Sequence, residues 1–283
     1  MSTQPIICIY GAGSIGCYVG GRLDAAGASV VMIGRARIGE ELAAHGLHLT
    51  DYRGAAIDVK TGAFEYSTDA TQLSSADLIL VTVKSAATAA AGADILRFAR
   101  ADAIVISLQN GIGNDAVLCA AAPQCRVLAG MVQFNVAAYG EGRFHQGSQG
   151  NLEVAADAGL APFLAAFERA GLPLAQHADI VSVQWAKLLL NLNNAVNALS
   201  GLPLKSQLAQ RAYRRCTALA QEEGCARSPR RRFVPRGSPR FRRHGFRACC
   251  DCRTRYSVAS PPECSRSTRS RVRPCRMISV PVA

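Results

Sequence analysis

Apolar positions first gather at Ile6-Ile7-Cys8-Ile9-Tyr10, a short run without polar alternation that reads as a strand buried on both faces. Tyr18 to Ala26 carries a helical pattern that Gly27 stops, and Ser29 to Ile33 is a second strand. Asp77 to Val83 predicts another buried strand, followed by an Ala-rich helix to about Arg100 and a further strand over Ala103 to Ser107. From Arg126 to Val154 the pattern shortens and alternates between Gly140, Gly142, Gly147 and Gly150, which predicts a hairpin-like meander closing a first domain. Leu160 to Ala170 reads as a helix, Gly171-Leu172-Pro173 as a break, and Asp179 as the N-cap of a long helix to about Ser200. Strands alternating with helices define an α/β class built on a parallel sheet, and the pattern after it is helical. The expected organisation is a first domain over 1–155, a helical part over 156–223, and an aperiodic tail over 224–283.

Between the first strand and helix stands Gly11-Ala12-Gly13-Ser14-Ile15-Gly16. In a strand–turn–helix context Gly11 permits the tight turn, Gly13 lets a pyrophosphate approach the backbone, and Gly16 lets helix and strand pack closely. The helix N-terminus then favours negative charge, so the first domain is expected to be a Rossmann-type nucleotide-binding unit. About twenty residues further on, a unit selective for NAD would carry a carboxylate for the ribose hydroxyls. This chain has Gly34-Arg35-Ala36-Arg37 instead. The guanidinium of Arg35 suits a 2′-phosphate, so NADP(H) is the expected cofactor; Arg37 reads equally as a second contact or as a solvated residue of a helix start. Lys84 and Asn110 follow strands, and ligands of open parallel sheets collect at strand carboxyl ends, so both are candidates for the same site. His145 lies in the meander and reads as structural.

On the long helix Lys187, Asn191 and Asn194 are spaced i, i+4 and i+7 and share one face, while Leu188, Leu189, Leu190, Leu192 and Val196 occupy the others. One cation among amides differs from a solvated stripe, which ordinarily carries charges of both signs. A polar cleft wall is the expectation.

Four segments occur in order between residues 11 and 200: the glycine turn, Val81-Thr82-Val83-Lys84, Gln109-Asn110-Gly111-Ile112-Gly113, and Trp185-Ala186-Lys187-Leu188-Leu189-Leu190-Asn191 through Asn197-Ala198-Leu199-Ser200. Together they resemble the ketopantoate reductase (2-dehydropantoate 2-reductase) family. The resemblance implies a Rossmann domain followed by a helical domain, NADPH as reductant, and reduction of a small 2-oxo acid. It also implies Lys187 as general acid, Lys84 on the cofactor side, and Asn110 beside both nicotinamide and substrate. Asn191 and Asn194 become substrate-facing amides, although an extra asparagine at 193 leaves the spacing open between 193 and 194. Members of the family add further helices that contribute a serine and a glutamate, with a Thr-Glu-Ile-Asp core. No such segment occurs here, so the helical domain is expected to be truncated near Glu223.

Composition sharpens that boundary. Hydrophobic residues make up 49% of the chain and charged residues 18%, enough apolar content for a real core. The net charge of +12 is unevenly spread: residues 1–223 hold 16 Lys+Arg against 18 Asp+Glu, or −2, and residues 224–283 hold 16 against 2, or +14. All sixteen tail cations are Arg, and the tail is rich in Pro, Ser and Cys. As a nucleic-acid arm it lacks aromatic interleaving and offers only sequence-blind adhesion, so no specific nucleic-acid partner is expected. As a metal module, Cys249-Cys250-Asp251-Cys252 is too tight for a C-x-x-C half-site. Translation in a shifted frame of a GC-rich gene accounts for more of this composition than either. The five body cysteines Cys8, Cys17, Cys119, Cys125 and Cys216 read as buried thiols of a reducing compartment. With no leader pattern and no uninterrupted apolar run of membrane-spanning length, a cytoplasmic protein with no membrane partner is expected. The sequence is silent on oligomeric state.

Overall fold

The computed structural model describes residues 4–227. Its centre is an eight-stranded sheet made of β1 (Ile6–Tyr10), β2 (Ser29–Ile33), β5 (Glu65–Ser67), β6 (Leu78–Val81), β7 (Ile104–Ser107), β8 (Arg126–Val132), β11 (Leu152–Ala155) and β12 (Leu174–His177), in the order β12-β11-β8-β7-β6-β1-β2-β5. Every neighbouring pair is parallel except β8 and β11. The central strands are buried end to end because helices cover both faces. On one face Ile7, Ile9, Leu78, Leu80 and Ile106 meet α1 (Ser14–Ala25) and α5 (Ala161–Arg169). On the other, Cys8, Ile79, Val81 and Val105 meet α3 (Thr88–Phe98) and α4 (Asn114–Ala121).

The expected meander resolves into two destinations. β8 joins the main sheet parallel to β7, where its run Leu128 to Val132 is buried. β9 (Val136–Gly140) and β10 (Arg143–Gln146) form an antiparallel hairpin, and β10 then pairs parallel with β3 (Leu47–Asp51), which is antiparallel to β4 (Ala56–Val59). Strands β3 and β4, and with them the second sheet as a whole, are absent from the reading of the sequence, whose local pattern there is weak, and α2 (Ala36–His45) is foreshadowed only by the helix start read at Arg37. His145 bonds Thr50 across the β3–β10 pair at 2.8 Å.

The helical pattern after the sheet also gains detail. The break at Gly171-Leu172-Pro173 leads into β12, and the helix that follows the glycine turn runs from Ser14 to Ala25. The long helix α6 (Ile180–Ser200) begins where Asp179 caps the Ser182 N–H at 3.3 Å. It lies against the main sheet through Gln184, whose buried amide donates to the Gly130 carbonyl at 3.1 Å. Two further helices, α7 (Leu204–Ala209) and α8 (Arg211–Arg227), return along α6. Helix α8 runs to Arg227, and within it Gly224 packs where a Cβ would come within 2.7 Å of Leu189 and 3.2 Å of Leu192. The rest of the tail, including Cys249, Cys250 and Cys252, lies outside the described residues.

Two of the five body thiols depart from expectation. Cys8, Cys17 and Cys125 are buried, but Cys119 on α4 and Cys216 on α8 are exposed. Among the described residues no helix is long and apolar enough to cross a membrane.

Candidate active site

Five consecutive strand ends line one edge of the sheet. In spatial order, β8 leads to Gln133, β7 to Asn110, β6 to Lys84, β1 to the glycine turn and β2 to Arg35. At roughly 4.8 Å per strand the row extends about 19 Å, which suits a long ligand laid across the strands.

At the β1 end, the Gly11 and Ala12 amides donate to the Ile33 carbonyl at 2.9 and 2.8 Å, tying the turn to β2. Gly11 sits at φ +109°, and a Cβ there would come within 2.6 Å of Val83. At Gly16 a Cβ would lie 2.7 Å from the Gly11 carbonyl and 2.8 Å from the Thr82 hydroxyl, which itself donates to that carbonyl. Gly13 differs: its nearest neighbour would be 3.9 Å away, so the space above it is open. As N-cap of α1, Gly13 supplies no side-chain acceptor, and the first turn holds no acid. These features fit a dinucleotide phosphate, which needs free N–H donors, a positive helix end and room over the turn.

Beside the turn lies a cleft of about 300 Å³ whose walls include Gly13, Ser14, Arg35, Arg37, Glu41 and Phe144. Arg35 stands at the N-cap of α2, exposed, and its carbonyl accepts the Tyr66 hydroxyl at 2.9 Å. Its guanidinium has no ion-pair partner among the described residues, whereas Arg37 lies 3.7 Å from Glu41. The donor set fits the phosphates of a dinucleotide, with Arg35 the freer cation.

Lys84 and Asn110 are both exposed, and neither side chain is hydrogen-bonded among the described residues. Their loops are held from beneath by Gln109 and Thr88, which the sequence reading passed over; a glutamine closing an apolar strand was the available signal. Further along the edge, the half-buried Lys187 donates from Nζ to the Gln133 carbonyl at 2.7 Å. Burial holds its pKa below the ordinary lysine value of 10.5. Gln133 is likewise a residue the sequence did not flag, since its contribution is a main-chain carbonyl.

The stripe on α6 is only partly as expected. Gln184, Lys187 and Asn191 climb one face away from the sheet, and exposure rises to Asn194. Asn191 and Asn194 make no side-chain hydrogen bond among the described residues and remain available to a ligand. Asn193 points elsewhere, exchanging hydrogen bonds with Gln207 at 3.2 and 3.4 Å and accepting one from Thr217 at 2.7 Å. The structure thus brings the glycine turn, Arg35, Lys84, Asn110 and Lys187 to one edge, with Asn191 and Asn194 beyond it.

Fold and site define an oxidoreductase of the Rossmann type with a helical second part. Residues 7–159 match the model of the ketopantoate reductase PanE/ApbA family, and the chain belongs to that family. A 2-dehydropantoate 2-reductase of Halobacterium salinarum is 29% identical over 237 residues, which cover 77% of this chain and 76% of that protein. The crystal structure of a PanE/ApbA family ketopantoate reductase from Ralstonia eutropha superposes with a TM-score of 0.70 at 30% identity, covering 78% of this chain and 73% of that one. D-mandelate dehydrogenase, solved as a ternary complex with NADH and anilino(oxo)acetate, shares the fold at a TM-score of 0.67 and 20% identity, over 78% of this chain and 72% of that one.

Proposed function

We propose that this chain reduces 2-dehydropantoate, or a related small 2-oxo acid, to the 2-hydroxy acid with NADPH. The observation that carries the reading is Lys187, a half-buried ammonium held by the Gln133 carbonyl at the end of β8, one strand from Asn110 and two from Lys84. The glycine turn from Gly11 to Gly16, with Lys84, would hold the dinucleotide, and Arg35 would take its 2′-phosphate. Bound reduced nicotinamide supplies the hydride. Lys187 stabilises the negative charge that grows on the ketone oxygen and delivers a proton to it. Its lowered pKa makes it the readier acid. Asn110, Asn191 and Asn194 orient the carboxylate and hydroxyl by hydrogen bonds without adding charge beside the ammonium.

Steady-state oxidation of NADPH with 2-dehydropantoate tests the reading. Wild type is expected to turn over, Lys187→Met to lose on the order of a hundredfold or more in kcat, and Arg35→Ala to lose affinity for NADPH but not for NADH. Equal losses for the two cofactors would remove Arg35 from 2′-phosphate recognition.

A second reading, a dinucleotide-binding protein without turnover, is favoured by two observations. No serine and Thr-Glu-Ile-Asp segment follows Glu223, and Leu199 and Leu190 on α6 are 90% and 49% exposed. On that reading NADPH binds and 2-dehydropantoate is left unchanged.

A further inference from the structure

Gln109 is 4% exposed, directly below Asn110, and both donors and the carbonyl oxygen of its amide are engaged within the protein. Oε1 accepts from the Ser107 hydroxyl at 2.9 Å, at the end of β7. Nε2 donates one proton to the Val83 carbonyl at 3.1 Å, just past β6, and the other to the Thr88 hydroxyl at 2.7 Å, at the start of α3. Thr88, 2% exposed, has a single hydroxyl proton, shared between the Ser85 carbonyl at 2.8 Å and Asn114 Oδ1 at 3.1 Å. Asn114 in turn donates to the Asn110 carbonyl at 3.0 Å, and Ser85 Oγ donates to the same carbonyl at 3.3 Å. The bonds close a ring through two loops, 83–88 and 109–114. One loop carries Lys84 and the other Asn110.

We propose that Gln109 is a positioning residue which, through Thr88, locks these two loops into one body and so sets the spacing of Lys84 and Asn110. The proposal rests on the reductase reading and adds to it a residue that touches neither cofactor nor substrate. An amide is what this place demands. A leucine there would orphan the Val83 carbonyl, and a carboxylate would present oxygens where two donors are needed while burying a charge. Loops joined only by main-chain turns wander by fractions of an ångström, and reacting groups tolerate little of that. Val83 also abuts Gly11, so the same ring braces the glycine turn.

Thr88→Val tests the lock, since it keeps shape and removes the shared hydroxyl; Thr88→Ser restores that hydroxyl. Hydrogen exchange is measured on the full chain without ligand, and kcat and KM with NADPH and 2-dehydropantoate. In Thr88→Val, peptides spanning 82–90 and 107–116 are expected to exchange at least tenfold faster together, while β3–β4 peptides stay unchanged. With it kcat falls tenfold or more, the KM for NADPH rises because Lys84 and the glycine turn lose their brace, and Thr88→Ser returns exchange, kcat and KM to within threefold of wild type. Gln109→Met, if it folds, behaves as Thr88→Val. The proposal is overturned by loosening of one loop alone, by uniform loosening of the whole chain, by an unchanged kcat, or by a serine variant as impaired as the valine. A wild type that binds NADPH but does not reduce 2-dehydropantoate rejects the reductase reading. In that case exchange alone decides the lock: joint loosening upholds it and unchanged loops remove it.

Discussion

Gly13 and Gly16 stand three positions apart in one turn and answer to different demands. At Gly16 an added methyl meets the Gly11 carbonyl and the Thr82 hydroxyl, so Gly16→Ala should cost about 1–3 kcal/mol, read as a lowered urea midpoint. At Gly13 the methyl meets nothing closer than 3.9 Å. Gly13→Ala should therefore unfold near the wild-type midpoint yet bind NADPH at least tenfold more weakly, the methyl occupying the space over the turn. Equal stability losses in the two variants would refute this division. Lys187 carries a second prediction at the same scale. Because burial lowers its pKa, the acid form is present below that value and lost above it. The pH profile of kcat should fall on an alkaline limb with its midpoint below 10.5, and Lys187→Arg should move that limb out of range. A limb that persists in the arginine variant belongs to another group.

At the scale of the element, α6 does two things on two faces. A residue two places along a helix is rotated by about 200°, which is why Asn193 turns from the Asn191 stripe into the contact with α7 and α8. Gln207, its partner, is fully buried, and an unpaired amide there is expensive. Asn193→Ala should cost about 1–2 kcal/mol of stability with a changed midpoint for unfolding. Asn194→Ala, exposed, should stay within about 0.5 kcal/mol while raising the KM for the 2-oxo acid. The reverse pattern, a stable Asn193 variant and an unstable Asn194 variant, would reassign the stripe. Periodicity placed Lys187, Asn191 and Asn194 on one face, but only helices α7 and α8 show what the extra asparagine is for. Those two helices have low apolar periodicity, so the sequence places them inside the helical part over 156–223 without resolving them as elements.

For the whole molecule, the sharpest boundary is in the charge, which goes from −2 over residues 1–223 to +14 over residues 224–283. The apolar face of α6 is covered through Leu189 and Leu192 by α8 as far as Arg227, and Leu199 stands 90% exposed. The frame-shift reading expects one nucleotide inserted or deleted near the Glu223 codon to open a frame encoding the missing serine and Thr-Glu-Ile-Asp segment. A protein expressed from the repaired gene should reduce 2-dehydropantoate at least tenfold faster and aggregate less, its exposed leucines being covered. Neighbouring frames interrupted by stop codons would make the Arg-rich tail a native extension, to be tested by salt-dependent binding to nucleic acid.

Short-range pattern settled what short-range physics controls. Unbroken apolar runs made β1, β2, β6 and β7 visible because strands buried on both faces admit no polar alternation. The glycines and Arg35 were legible because a close backbone approach and a phosphate partner each leave one kind of residue in place. What the tertiary structure decided depends on partners distant in sequence. The insertion of β8 beside β7, the pairing of β10 with β3 across some ninety residues, and the capture of Lys187 by a carbonyl 54 residues away leave no local trace. The same holds for Gln109: alone it is a polar residue ending an apolar strand. Only the approach of Val83 and Thr88, set by the neighbouring strand and helix, consumes both its donors and makes it part of the site.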